Sequence, residues 1–84
     1  MKISLLYFAR FRQCLGVDQE IIDTAAGSTV ADIIDSLAAR GGIWQELFAG
    51  DASVMAAINE QMATLASAVQ DGDTLALFPP VTGG

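Results

Sequence analysis

The chain has 84 residues, 52% of them hydrophobic, with 10 acidic side chains against 4 basic ones, a formal net charge of -6, one cysteine and no histidine. One small domain follows from that length, and because a chain this short buries only about 60% of its unfolded surface, a single core uses most of the apolar residues and leaves little for a deep catalytic pocket. Without His, and with Cys14 alone, an imidazole base, an intramolecular disulfide, a Cys₄ zinc site and an iron–sulfur cluster are excluded, and a surplus of carboxylates over Lys2, Arg10, Arg12 and Arg40 opposes binding to nucleic-acid phosphates while suiting a basic protein partner.

In chain order, the apolar run Ile3 to Phe8 predicts a buried strand. Lys2 before it gives a faint likeness to a signal peptide, but Arg10 and Arg12 follow at once with no small-residue cleavage site, so a strand and a cytoplasmic location are expected. Arg10 to Gly16 predicts a connection, and the imperfect alternation of Val17 to Asp23 predicts a second strand, antiparallel to the first. After the break at Ala25-Ala26-Gly27-Ser28, Thr29-Val30-Ala31-Asp32 fits a capping box. The helix it starts carries Val30, Ile33, Ile34, Leu37 and Ala38 on one face, about three turns in all, with Arg40 placed for the C-terminal carbonyls and Gly41-Gly42 as a left-handed cap.

Ile43 to Phe48 is short, and its large apolar residues predict a turn closing one edge of the core, with Trp44 in a structural role. Val54 to Asn59 predicts a strand, Gln61 to Leu65 a weaker one, and Thr74 to Phe78 the last, introduced by the turn Asp71-Gly72-Asp73. The uncharged stretch Gln61 to Gln70 falls well short of the roughly 20 apolar residues of a membrane helix. The order β-β-α-β-β, with room for one short extra strand, predicts an α+β fold with a mixed sheet, one main helix across one face, and the first and last strands paired centrally in parallel. That is the β-grasp, or ubiquitin-like, arrangement, a single domain over 1–84 in which 79–84 form an extended tail.

The sequence closes Phe78-Pro79-Pro80-Val81-Thr82-Gly83-Gly84. The prolines end the strand and hold the following residues extended, and the two glycines have no side chains to obstruct a narrow channel. The carboxylate of Gly84 is then the obvious reactive group, a poor acyl donor until a partner enzyme activates it with ATP and a sulfur or amine nucleophile attacks. Cys14 has no neighbour in sequence to activate it, and Met55 and Met62 are expected to pack or to contact a partner rather than to ligate a metal, which this chain is not expected to bind.

Three segments resemble the small, sulfur-carrying subunit of molybdopterin synthase (MoaD family): Leu6-Tyr7-Phe8-Ala9-Arg10-Phe11-Arg12, Ala56-Ala57-Ile58-Asn59, and above all Asp71 through Gly84, with Gln13 departing from an acidic preference after the arginine. The resemblance implies that a ubiquitin-activating-like adenylyltransferase adenylates Gly84, that a sulfur donor system converts it to a thiocarboxylate, and that the tail enters the large subunit of the synthase. There the sulfur completes the dithiolene of molybdopterin from cyclic pyranopterin monophosphate. It further implies partner contacts at Phe8, Arg12, Met62 and Phe78 and along Pro79, Pro80, Val81 and Thr82, backbone freedom at Gly83, catalytic side chains on the large subunit, a heterotetramer of two small and two large subunits, and no cofactor on this chain, the ATP being used by the adenylating partner. From the residues alone, Phe8 and Phe78 are more often core residues than interface anchors, and only the resemblance brings the two readings level, while Arg12 is equally well a solvated residue. The alternatives are sulfur carriage for thiamine or tRNA thiolation, a ubiquitin-like protein modifier, and a docking module.

Overall fold

The computed structural model describes residues 1–49 and 54–80. Five strands, β1 (Lys2–Tyr7), β2 (Gln19–Asp23), β3 (Met55–Ile58), β4 (Gln61–Ala63) and β5 (Thr74–Phe78), form one sheet in the order β2-β1-β5-β3-β4. β1 and β5 run parallel in the middle, with Leu5 opposite Leu75, while β2 is antiparallel to β1, β3 to β5, and β4 to β3. The β-grasp arrangement expected from the sequence is therefore present. β2, β3 and β4 are each shorter than expected, losing Val17-Asp18, Val54 and Asn59, and Thr64-Leu65 at their ends.

One face of the sheet carries the core. Ile3, Leu5 and Tyr7 of β1 and Leu75 and Leu77 of β5 alternate inward and are all buried. Across them lies α2 (Val30–Ala38), whose Val30, Ile33, Ile34 and Leu37 are buried and whose Ala38 packs at the margin, as the periodicity requires. Its capping box is complete: the Asp32 backbone N–H donates to Thr29 Oγ1 at 3.2 Å, and the Thr29 N–H donates to Asp32 Oδ2 at 2.9 Å. The N–H groups of Val30 and Ala31, otherwise orphaned at the helix start, donate to the carbonyls of Ser67 and Leu65 and fasten α2 to the segment after β4.

Two elements differ from expectation. The predicted connection after β1 is a helix, α1 (Ala9–Leu15), because Phe11 and Leu15 share one side of it and pack on the core, and Gly16, at φ 73°, ends it by donating to the Arg12 carbonyl. The predicted turn around Trp44 is also a helix, α3 (Gly42–Phe48), which buries Leu47 and Phe48. One main helix thus becomes one main helix and two shorter ones. Gly41, at φ 78°, is the N-cap of α3 rather than a cap closing α2, which ends at Ala39 in ordinary helical geometry.

Arg40 is likewise reassigned. Its guanidinium lies 4.3 Å from the Trp44 ring centre and bonds Glu20 Oε1 at 2.6 Å, so it joins α2, α3 and β2 instead of serving carbonyls at the helix end. Trp44 is half-buried, edge-on to Tyr7 at 5.7 Å and stacked on Phe48 at 6.2 Å, in the structural role expected of it.

Candidate functional site

The face of the sheet turned away from α2 has no covering helix among the described residues. Because side chains alternate along strands, the positions left out of the core assemble there in rows set by the register. Leu6 stands opposite Ala76, Ala76 opposite Ala57, and Ala57 opposite Met62, giving an apolar row across four strands. A second row begins with Phe8, whose backbone N–H donates to the Leu77 carbonyl at 3.1 Å, and continues through Phe78 and its partner Met55. Phe8 is 44% exposed and Met62 62% exposed, values that place both outside the core. A contiguous apolar surface of this kind on a small domain makes this face the candidate docking surface.

Over the first row lies a shallow groove of about 420 Å³, lined by Leu6, Ala57 and Ala76, with Phe8 and with Asn59, Glu60 and Thr74. Asn59 is fixed there. Its backbone N–H donates to the Thr74 carbonyl, its side-chain oxygen accepts from the Thr74 N–H at 3.0 Å, and its amide nitrogen donates to Asp73 at 2.9 Å, which locks the β3–β4 turn to the start of β5.

Of the residues singled out in the sequence, Phe8, Met62 and Phe78 share this face, and Pro79 and Pro80 follow directly from the central strand β5 beside Phe8. Arg12 is exposed on α1, but it faces a separate cleft with Gln13, Val17, Asp18 and Gln19 rather than the groove. Val81, Thr82, Gly83 and Gly84 lie outside the described residues. The sequence reading missed Leu6, Ala57, Ala76 and Glu60; the alternation along β1 and β5 carries the signal for the first three, but it becomes readable only once the helices choose the opposite face.

Alkyl and aromatic groups with an amide and a carboxylate at one end make a surface suited to binding. Among the described residues no group of three His, Cys, Asp or Glu side chains is arranged to hold a metal ion, and no helix is long and apolar enough to cross a membrane. Cys14 is exposed on α1, away from the groove lining.

The ThiS family model matches residues 5–84. The chain is 39% identical over 83 residues to the molybdopterin synthase sulfur carrier subunit of Haemophilus influenzae, a match covering 98% of this chain and 99% of that protein. Among solved structures, the putative molybdopterin converting factor subunit 1 of Pyrococcus furiosus superposes with a TM-score of 0.79 at 36% identity, covering 96% and 99% of the two chains. The modifier protein SAMP1 of Haloferax volcanii superposes with a TM-score of 0.79 at 29% identity over the whole of both chains.

Proposed function

The chain belongs to the ThiS family, and from that premise we propose that it is the sulfur-carrying small subunit of a molybdopterin synthase. One observation carries the reading: the family match runs through residue 84, so it includes the Gly83-Gly84 end on which the chemistry depends. The Gly84 carboxylate attacks the α-phosphorus of ATP in an adenylating partner and expels pyrophosphate. A sulfur nucleophile from the donor system then forms a C–S bond as AMP leaves, and the product is a thiocarboxylate.

The loaded tail enters the large subunit, where its sulfur forms a C–S bond with cyclic pyranopterin monophosphate and water then cleaves the acyl–sulfur bond, so that the carrier returns as a carboxylate. Two such deliveries build one dithiolene. The open face is the docking surface, with Phe8, Met62 and Phe78 as apolar anchors, Arg12 as a polar contact from α1, and Pro79 to Thr82 lying along the entry channel; aromatic, Met and Arg side chains are what interface centres favour. Catalytic side chains reside on the large subunit, the chain itself holds no cofactor, and activation by ATP suits the cytoplasm.

The test is reconstitution with the adenylating enzyme, a sulfur donor, the large subunit and the precursor. The full chain yields molybdopterin, and deletion of Gly83 and Gly84 abolishes it. Full product formation by the truncated chain would refute the reading.

A second reading, a protein modifier, is favoured by the full-length likeness to SAMP1. It predicts isopeptide conjugates between Gly84 and lysines of other proteins in cells, whereas the carrier reading predicts free chain in its carboxylate and thiocarboxylate forms.

A further inference from the structure

We propose that Glu60 is a specificity-determining residue of the open face, one that reads an arginine or lysine presented by the large subunit above the groove. The inference rests on the docking reading given under Proposed function and adds to it the residue that selects the partner. Glu60 and Asn59 form the two-residue β3–β4 turn, at φ 72° and 49°. Two successive positive φ values make a turn of the kind that favours Asn followed by Gly. Asn59 matches that preference and is held by three hydrogen bonds. Glu60 sits where glycine would be unstrained, and among the described residues it has neither an ion pair nor a side-chain hydrogen bond to offset the strain.

Strain of this kind collects where function holds it in place. The one other non-glycine residue with positive φ among those described is Ala9, at φ 53°, directly after Phe8 at the groove wall. The backbone is therefore strained at Ala9, next to Phe8, and at Glu60, and Phe8 and Glu60 line one groove. The chain's own cations do not answer the carboxylate: Lys2 pairs with Asp23 and Arg40 with Glu20, while Arg10 and Arg12 belong to α1. A partner that covers the apolar rows strips water from Glu60, which is costly unless the partner brings a positive charge, so a partner without one is rejected.

Calorimetric titration of the cognate large subunit with wild type, Glu60→Gln, Glu60→Gly and Phe8→Ala, at low and high salt, tests this. Glu60→Gln weakens binding about five- to tenfold at low salt and flattens the salt dependence. Glu60→Gly weakens it similarly while raising Tm by about 4 °C through relief of the turn. Phe8→Ala, which removes an anchor, weakens binding at both salt concentrations. If Phe8→Ala weakens binding but Glu60→Gln binds like wild type at low salt, the role of Glu60 is overturned and the docking surface stands. If Phe8→Ala also binds like wild type, the docking surface and the role of Glu60 fall together.

Discussion

Tyr7 shows how one side chain can bind a core together and still cost it something. Its ring is 1% exposed, edge-on to Trp44 at 5.7 Å and tilted against Phe48 at 6.4 Å, yet its hydroxyl has no hydrogen-bond partner among the described residues. A buried, unsatisfied hydroxyl costs about 1–3 kcal/mol, so Tyr7→Phe, which keeps the ring contacts, is predicted to leave stability unchanged or raise it by about 1 kcal/mol in a denaturant titration. Burial first, and then the nearby Glu20 carboxylate, push the phenol pKa above its ordinary range. In the unfolded chain this proton leaves near pH ~10 while the folded chain keeps it, so above that pH the folded state binds more protons and stability falls as pH rises. Thermal melts from neutral to strongly alkaline pH are expected to show that decline, and Tyr7→Phe to remove the share due to this group.

Two phenylalanines three positions apart divide core from surface just as sharply. Phe11 is fully buried, and Phe11→Ala is expected to cost about 3–5 kcal/mol, whereas Phe8→Ala changes stability little and registers in partner affinity. Composition could not separate them. What decides is the alternation of β1, which puts Phe8 on the outer face, and the turn of α1, which carries Phe11 back under the sheet.

At the scale of elements, α2 was legible because it offers both a cap and a repeat. Thr29→Ala removes the hydroxyl of the capping box and is predicted to cost about 1 kcal/mol, lowering Tm by about 4–8 °C. Thr29→Ser, which keeps an acceptor at that place, is expected to retain most of the stability. α1 and α3 were not legible for a physical reason. Each has seven residues, too few turns for a 3.6-residue repeat to rise above chance, and neither has a side-chain N-cap bond, so their helicity comes from burying Phe11 or Leu47 and Phe48. The central strands stood out because β1 and β5 carry unbroken apolar inward rows, Ile3-Leu5-Tyr7 and Leu75-Leu77, with further apolar residues at Leu6, Ala76 and Phe78, and the short edge strand β4 was weak in the sequence as it is short in the sheet.

Across the described residues, the helices cover one side of the sheet and leave Leu6, Ala76 and Phe78 of the central strands without a covering helix on the other. The parallel pairing of first and last strands could be inferred from the chain order, but not which face the helices take, so Leu6, Ala57 and Ala76 had no distinguishing mark in the sequence. Phe8, Met62 and Phe78 came instead from family resemblance, and the register brings them onto the open face. Arg12, from the same source, stands apart from the groove on α1. With a formal net charge of -6 the chain is drawn toward basic partners before contact, so its association rate with the proposed partners, the adenylating enzyme and the large subunit, is predicted to fall steeply with ionic strength, as stopped-flow mixing at several salt concentrations will read.

Carriage of sulfur on Gly84 is read from the intact mass of the chain before and after incubation with the proposed adenylating enzyme, ATP and a sulfur source. The expected result is replacement of one oxygen by one sulfur, localised to the C-terminal residue and lost again when the large subunit and precursor are added. An unchanged mass in the presence of an adenylating enzyme active on another carrier would contradict it.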